Sequence, residues 1–451
     1  MVKVMIGLEI HVQLNTRTKI FCSCPNSVSD EPNTLVCDIC LGMPGSKPSF
    51  NKEVLMQALK VALALNCKVN SSMFFSRKSY FYPDMPKNFQ ITQFEVPLAE
   101  NGELEGVRVK RVHMEEDPGR LVHSAALTLV DYNRSGVPLL EIVTEPDFKS
   151  PEQVRDWLNK LITILEYLNV YYRASEASLR ADANISIDGG ERVEIKNIGG
   201  VKDIERALNF EVERQQKERA VRETRGWDSD KGVTISLRRK ETEEDYGYIF
   251  EPDLTEFEIS EDLIDDIRSK LPELASKRAN RFIENYKIDA TDAHVLTQDI
   301  LIAELFEKVA KKIDPVLAAR WLRRDLLKLL NYNKKTLKDL EIDESHIIDL
   351  LSLVESKQIS DAVAKDIMIK LMEGPFDVKE YVKENNLLMV SDASDLEVIC
   401  DEVIRENPRA VEDYKSGRKE ALNFLFGIVV KKTGGRADPN VVRKLLEKKI
   451  R

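Results

Sequence analysis

Residues 7–14 alternate strictly. Glu9, His11 and Gln13 fall on one side of an extended chain, and Leu8, Ile10, Val12 and Leu14 on the other. Period two with one wholly apolar set predicts a strand that buries one face. The second set is a carboxylate, an imidazole and an amide, where an ordinary wet face would carry Lys, Thr or Ser. Such a row can hold a metal or a substrate. The pattern recurs. Asp182, Asn184 and Ser186 oppose Ala183, Ile185 and Ile187, while Glu194 and Lys196 oppose Val193 and Ile195. Glu141 stands alone among Leu139, Leu140, Ile142 and Val143. A carboxylate in such a run is costly to bury without a cation or a hydrogen-bond donor. Taken singly, each acid more often caps a turn or pairs with a neighbour. The number of such strands carries the case for a shared reactive hollow.

The 451 residues allow two to four domains, at roughly 100–200 residues each. Strands and loops dominate the first 150 residues, with one helix whose N-cap is Asn51. Ser150, Pro151 and Gln153 predict a second helix start, with a cap, a first-turn proline and a capping-box partner. Its apolar stripe is Val154, Trp157, Leu158, Leu161, Leu165 and Leu168. From about Ser260 onward strand signals vanish and helical periodicity takes over. The fold class is therefore α+β: a mainly antiparallel β body with helices, followed by an all-helical C-terminal half. No apolar run approaches the ~20 residues that span a bilayer. With no signal-peptide pattern at the start, a cytoplasmic protein is expected, with no membrane partner.

A net charge of −10 argues against a surface built wholly for nucleic acid. Residues 431–451 nonetheless carry eight Lys or Arg against two acids. That basic tail fits phosphate contact, although a terminal helix also gathers cations to complement its dipole. The loop 77–84 interleaves Arg77 and Lys78 with Tyr80, Phe81 and Tyr82, a mixture that can grip phosphate and stack a base. His113, Glu115, Glu116 and Asp117 form an acidic run just before Pro118 and Gly119. Together with Glu9 and His11 they could supply ligands for a divalent metal. Cys22 and Cys24, and Cys37 and Cys40, are two close pairs whose spacing suits a structural zinc, with four free thiols as the alternative. Cys67 and Cys400 read as core residues. There is no phosphate-binding Gly-x-x-x-x-Gly-Lys loop, no dinucleotide fingerprint and no nucleophile elbow.

Several motifs carry a resemblance. Gly-Leu-Glu-Ile-His-Val-Gln-Leu-Asn-Thr at 7–16, Arg-Lys-Ser-Tyr-Phe-Tyr-Pro-Asp at 77–84 and His-Met-Glu-Glu-Asp at 113–117 are three of them. Leu-Leu-Glu-Ile-Val-Thr-Glu-Pro-Asp at 139–147, Ala-Asp-Ala-Asn-Ile-Ser at 181–186 and Val-Glu-Ile-Lys-Asn at 193–197 continue the series. In this order they resemble the GatB family, the B subunits of the tRNA-dependent amidotransferases. The match runs down to Thr-Gly-Gly-Arg-Ala-Asp-Pro at 433–439. The resemblance implies a cradle over residues 1–292, a helical domain over 293–380 and a YqeY-like, tRNA-binding tail over 381–451. It implies a glutamine-hydrolysing carbon–nitrogen ligase that amidates misacylated Asp-tRNA(Asn) or Glu-tRNA(Gln). In such enzymes an amidase, the A subunit, supplies ammonia. A small belt, the C subunit, completes the heterotrimer. GatB itself activates the side-chain carboxylate with ATP and Mg²⁺. Carried onto this chain, the resemblance makes His11, Glu116 and Glu141 the Mg²⁺ ligands with Glu9 beside them. Lys78 and Lys196 become phosphate contacts, and Tyr80 and Tyr82 line the nucleotide or aminoacyl pocket. The chain departs from the common family pattern at Asp117-Pro-Gly-Arg120 and at residues 245–250.

Overall fold

The computed structural model describes residues 3–124, 127–171, 179–218, 220–238, 247–389 and 393–450. Residues 245 and 246, part of the second departure noted above, lie outside them. The chain forms two compact units, Met1–Leu274 and Ala275–Arg451.

Nine strands make the main sheet of the first unit: β1 (Val4–Gln13), β2 (Lys68–Val69), β3 (Ala99–Leu104), β4 (Val107–Glu116), β5 (Pro138–Thr144), β6 (Leu179–Ile187), β7 (Val193–Gly199), β8 (Glu223–Asp228) and β9 (Val233–Arg238). Their spatial order is β9-β8-β7-β6-β1-β5-β4-β3-β2. All neighbours are antiparallel except β7 and β8. Successive strands are neighbours throughout, save that β1 is inserted between β5 and β6.

Register explains how the sheet acquires two unlike faces. Ile10 lies opposite Ile142 on one side and Ala181 on the other, and Val12 lies opposite Leu140. Because side chains alternate, one matched apolar row fixes all the others on the same face. That face packs with α1 (Lys52–Ala64), α2 (Pro151–Tyr167) and α3 (Val201–Lys217) into one continuous core, in which Ile6, Ile10, Val12 and Ile142 are fully buried. The helices begin where the sequence signals them. Asn51 caps α1 by accepting from the Glu53 amide, and Ser150 caps α2 by accepting from the Gln153 amide. Gln153 reaches back to the Lys149 amide at 2.8 Å, one residue beyond the N-cap amide of an ideal capping box. Trp157 then packs edge-on against Phe148 and donates its indole N–H to the Leu104 carbonyl at 2.9 Å.

The second unit is helical throughout its described residues, as the loss of strand signal after Ser260 predicts. It contains two cores. One gathers residues from Ala279 to Val382, the other from Leu396 to Ile450. Among the described residues no helix is long and apolar enough to cross a membrane.

Gly102 shows how closely the sheet is packed at its β3 edge. A Cβ there would stand 2.6 Å from the Leu65 carbonyl oxygen and closer still to the Cys67 sulfur. The obstacle is partly backbone and cannot swing aside. Gly102→Ala should therefore cost about 1–3 kcal/mol, read as a lowered denaturant midpoint. A wild-type midpoint would show that the backbone yields.

Candidate active site

The sheet face away from the core lines a cleft of about 1460 Å³ in the first unit. Strand register delivers its reactive groups. His11 on β1 lies opposite Glu141 on β5, which lies opposite His113 on β4. Glu115 follows two residues after His113 and shares its face. The ligand atoms of His11, Glu115 and Glu141 all lie within 4.8 Å of one another. His11 Nε2 is 3.6 Å from Glu115 and 3.8 Å from Glu141. These gaps are too wide for hydrogen bonds and of the order left between donors around a cation with bonds of ~2.1 Å. Each acid is also held from the protein side. Thr92 donates its hydroxyl to Glu115 at 3.2 Å, and His113 Nε2 stands 3.0 Å from Glu141. Burial pushes Glu141 upward in pKa, but His113, His11 and Arg111 override it and hold the group well below the usual carboxylate range.

A second acidic group adjoins the first. Glu9, opposite Asp182 in the β1–β6 pair, meets Asp182 and Glu194 with ligand atoms again within 4.8 Å. Lys196 sits among them, 2.6 Å from Asp182 and 2.9 Å from Glu194. A register shift in the β6–β7 pairing makes this possible. Asn197 adopts a φ of 53°, and its amide donates to Asp182 at 2.8 Å, beside the Lys196 ammonium. The ammonium stands where a second cation would otherwise be needed. Burial opposes ionisation of Asp182, yet Lys196 and His11 hold its pKa below normal, while the same acids raise that of Lys196. Glu9 goes the other way. Burial, and then Glu141, push its carboxyl upward.

The rim carries aromatic and cationic groups. Lys78, Tyr80 and Tyr82 line the cleft, and the two tyrosine rings stack with centroids 5.8 Å apart. Phe94 and Tyr248 form a tighter stack at 3.9 Å. Residues 154 positions apart offer no sequence signal for such a pair. Arg77, next to Lys78, turns away and forms a buried pair with Glu251. Asp117 is almost wholly buried and gathers two arginines, Arg134 at 2.5 Å and Arg180 at 2.9 Å, so that Arg180 is fixed at the cleft wall.

Of the residues expected as metal ligands, the structure brings together His11 and Glu141, with Glu9 adjacent, and leaves out Glu116. Strand alternation is the reason. His113 and Glu115 point into the cleft, so Met114 and Glu116 point to the opposite face. There Lys87 grips the Glu116 carboxylate at 2.5 Å and the Ile91 amide donates to it at 2.8 Å. Glu115 takes the place assigned to Glu116. The period-two parity of β4 is the signal that identifies it. The same parity marks Asp182 and Glu194.

Outside the cleft, the Sγ atoms of Cys22, Cys24, Cys37 and Cys40 also cluster within 4.8 Å. The Cys37 amide donates to Cys40 Sγ at 3.1 Å, and the fully buried Lys19 ammonium lies 3.8 Å away. A hydrogen bond from Cys22, opposed by burial and aided by these two donors, pulls the Cys40 thiol down to about 5. The same bond pushes Cys22 up. Four converging sulfurs, with a buried ammonium beside them, suit a tetrahedral Zn²⁺. Cys67 and Cys400 are buried singly, as core residues should be.

Comparison with known proteins bears on this geometry. Residues 4–265 match the family model described as the GatB/GatE catalytic domain, and residues 304–450 match the one described as the GatB domain. Over 99% of its length the chain is 43% identical to the B subunit of the aspartyl/glutamyl-tRNA(Asn/Gln) amidotransferase from Carboxydothermus hydrogenoformans, covering 98% of that protein. The chain belongs to the GatB family. The proteins of the same name from Methanopyrus kandleri, 44% identical over 100% of the chain and 99% of the relative, and from Methanospirillum hungatei, 45% identical over 99% of both, are two further relatives. The family resemblance read from the motifs thus holds over the whole chain.

The Lys87–Glu116 pair has a measurable structural role. Lys87→Met would leave a carboxylate that is 2% exposed without its cation, at a cost of about 3–5 kcal/mol. The double variant Lys87→Met, Glu116→Gln should recover much of that loss. Equal stability of wild type and the single variant in urea would overturn this account.

Proposed function

We propose that this chain is the component of an ATP-dependent amidotransferase that activates the side-chain carboxylate of misacylated Asp-tRNA(Asn) or Glu-tRNA(Gln). The observation that carries this reading is the meeting of His11, Glu115 and Glu141 from three adjacent strands within one large cleft. A carboxylate resists attack by ammonia because an oxide would have to leave. In the proposed sequence a carboxylate oxygen attacks the γ-phosphorus of ATP, and the bond from that phosphorus to the ADP oxygen breaks. Ammonia then attacks the acyl carbon, the carbon–oxygen bond breaks, phosphate departs and nitrogen loses a proton. Such chemistry calls for positioning and charge neutralisation more than for a protein nucleophile.

The residues fit those needs. His11, Glu115 and Glu141 would hold Mg²⁺ and leave positions for water and phosphate oxygens, the ion supplying charge neutralisation at the phosphates. Thr92 and His113 orient the two carboxylates from behind. Glu9, whose pKa is raised by burial, is the carboxylate suited to receive the proton that nitrogen sheds. Lys196 keeps the acidic wall formed by Asp182 and Glu194 from repelling a polyphosphate. Lys78 and Arg180 are the phosphate contacts at the rim, and Tyr80, Tyr82 and the Phe94–Tyr248 stack receive the base or the aminoacyl end. Ammonia would come from a glutaminase partner, the A subunit, with the small C subunit joining the two chains. The four-cysteine cluster is a structural zinc site apart from this chemistry.

With its partner subunits, the chain should release ADP only when misacylated tRNA is present. Glu115→Gln should lower amide formation roughly 10²–10³-fold while glutamine hydrolysis by the complex stays measurable. A wild-type rate in that variant would remove the metal assignment. Metal analysis of the purified chain should find one zinc per chain, and Cys37→Ser combined with Cys40→Ser should abolish it and lower the melting temperature. Zinc-free wild-type protein would end the structural-zinc reading.

A further inference from the structure

The strand register that builds the two acidic groups also brings an arginine beside them. Across the cleft side of the sheet, His11, Glu141 and His113 form one row. The next row runs Asp182, Glu9, Val143, Arg111 and Glu100. Neighbouring strands stand about 4.8 Å apart, so the Arg111 backbone lies roughly 10 Å from that of Glu9, with Val143 between them. Along β4, Arg111 precedes His113 by two residues, or roughly 7 Å. Both Arg111 and Val143 line the cleft.

Arg111 differs from the other cleft arginines. Asp117 takes Arg180, and Arg192 and Arg222 are exposed. Arg111 is half-buried, and its Nε is shut off from solvent without a hydrogen-bond partner. Among the described residues its side chain makes no ion pair or hydrogen bond, although Glu100 stands opposite it on β3. Its charge reaches the metal-ligand group all the same. Burial raises the Glu141 carboxyl, and His113, His11 and then Arg111 lower it.

Buried polar groups are almost always hydrogen-bonded, and each exception asks for an explanation, a catalytic role among them. A guanidinium offers five donors in a planar fork, which matches the oxygens of a phosphoryl group two at a time. Between Arg111 and Glu9, the Val143 side chain is apolar and competes for none of those donors.

We propose that Arg111 holds the transferred phosphoryl group on its way from ATP to the acyl phosphate. The proposal rests on the amidotransferase reading above and gives that site a further catalytic residue. As the carboxylate oxygen bonds to the γ-phosphorus and the bond to the ADP oxygen breaks, charge lies on three equatorial oxygens. His11, Glu115 and Glu141, with the cation they hold, face that group from one row, and Arg111 faces it from the next. Arg111 donates hydrogen bonds and gives up no proton. The same donors neutralise phosphate when the carbon–oxygen bond breaks.

The test uses the full chain assembled with its A and C subunits. The probes are ADP with Mg²⁺, and the same with aluminium fluoride, which mimics the phosphoryl group in transfer. Wild type should bind ADP more tightly once the fluoride is added. Arg111→Gln should bind ADP alone as wild type does and lose that gain by roughly tenfold or more. With misacylated tRNA its kcat for ADP release should fall roughly 10²–10³-fold, while KM for ATP stays near wild type. Arg111 has no bond in the free protein to lose, so the variant should melt with wild type. Arg111→Lys keeps the charge without the fork and should recover no more than about a tenth of the rate. It also carries the fluoride comparison if the glutamine variant does not assemble. Full recovery by Arg111→Lys would make Arg111 a mere counterweight to Glu141 and overturn the proposal. So would a wild-type kcat in Arg111→Gln, or an undiminished response to the fluoride. A wild-type complex that releases no ADP with misacylated tRNA sinks the amidotransferase reading instead, and the fluoride comparison still decides Arg111.

Discussion

Everything in the cleft depends on the pairing of β1 with β5 on one side and β6 on the other. Two registers, His11 against Glu141 and Glu9 against Asp182, place both acidic groups side by side. A slip of one residue in either pair would send the acids into the core and the aliphatic row into water. The apolar face enforces the register, because Ile10, Ile142 and Ala181 are fully buried together. Core packing on one side of the sheet thus sets the geometry of chemistry on the other.

The price of such a site is a concentration of negative charge, and the fold answers it with cations of its own. His11 and His113 face Glu141, Lys196 sits between Asp182 and Glu194, and Arg134 and Arg180 share Asp117. The outcome is uneven. Glu141 and Asp182 are held as weak bases, whereas Glu9, its pKa raised by burial and by Glu141, takes up a proton more readily. Carboxylates a few ångströms apart thereby acquire different tasks, the condition under which acid and base roles separate.

Much of this was legible in the sequence. Alternation announced the strands and their reactive faces, the caps at Asn51 and Ser150 were written locally, and the loss of strand signal after Ser260 marked the helical half. The four cysteines were visible as a cluster because two close pairs need only one loop to bring them together. The choice between Glu115 and Glu116 was also encoded, in the parity of His113, but a contiguous acidic run hides parity from a reader of composition. The second cation position was not legible, since it depends on a shift in strand register at Lys196 and Asn197. Nor was the Phe94–Tyr248 stack, which joins distant segments through the tertiary fold alone.

The insertion of β1 at the centre of the sheet has a consequence for how the protein is made. Its two partners begin only at Pro138 and Leu179. A nascent chain must therefore hold an aliphatic ribbon with both edges open until β5 emerges, and with one edge open until more than a third of the polypeptide has left the ribosome. Distant pairing of this kind is slow and exposes sticky edges meanwhile. Assembly of the cleft thus waits for β6, and the interval before it arrives is when the open edge of β1 is most exposed to wrong partners.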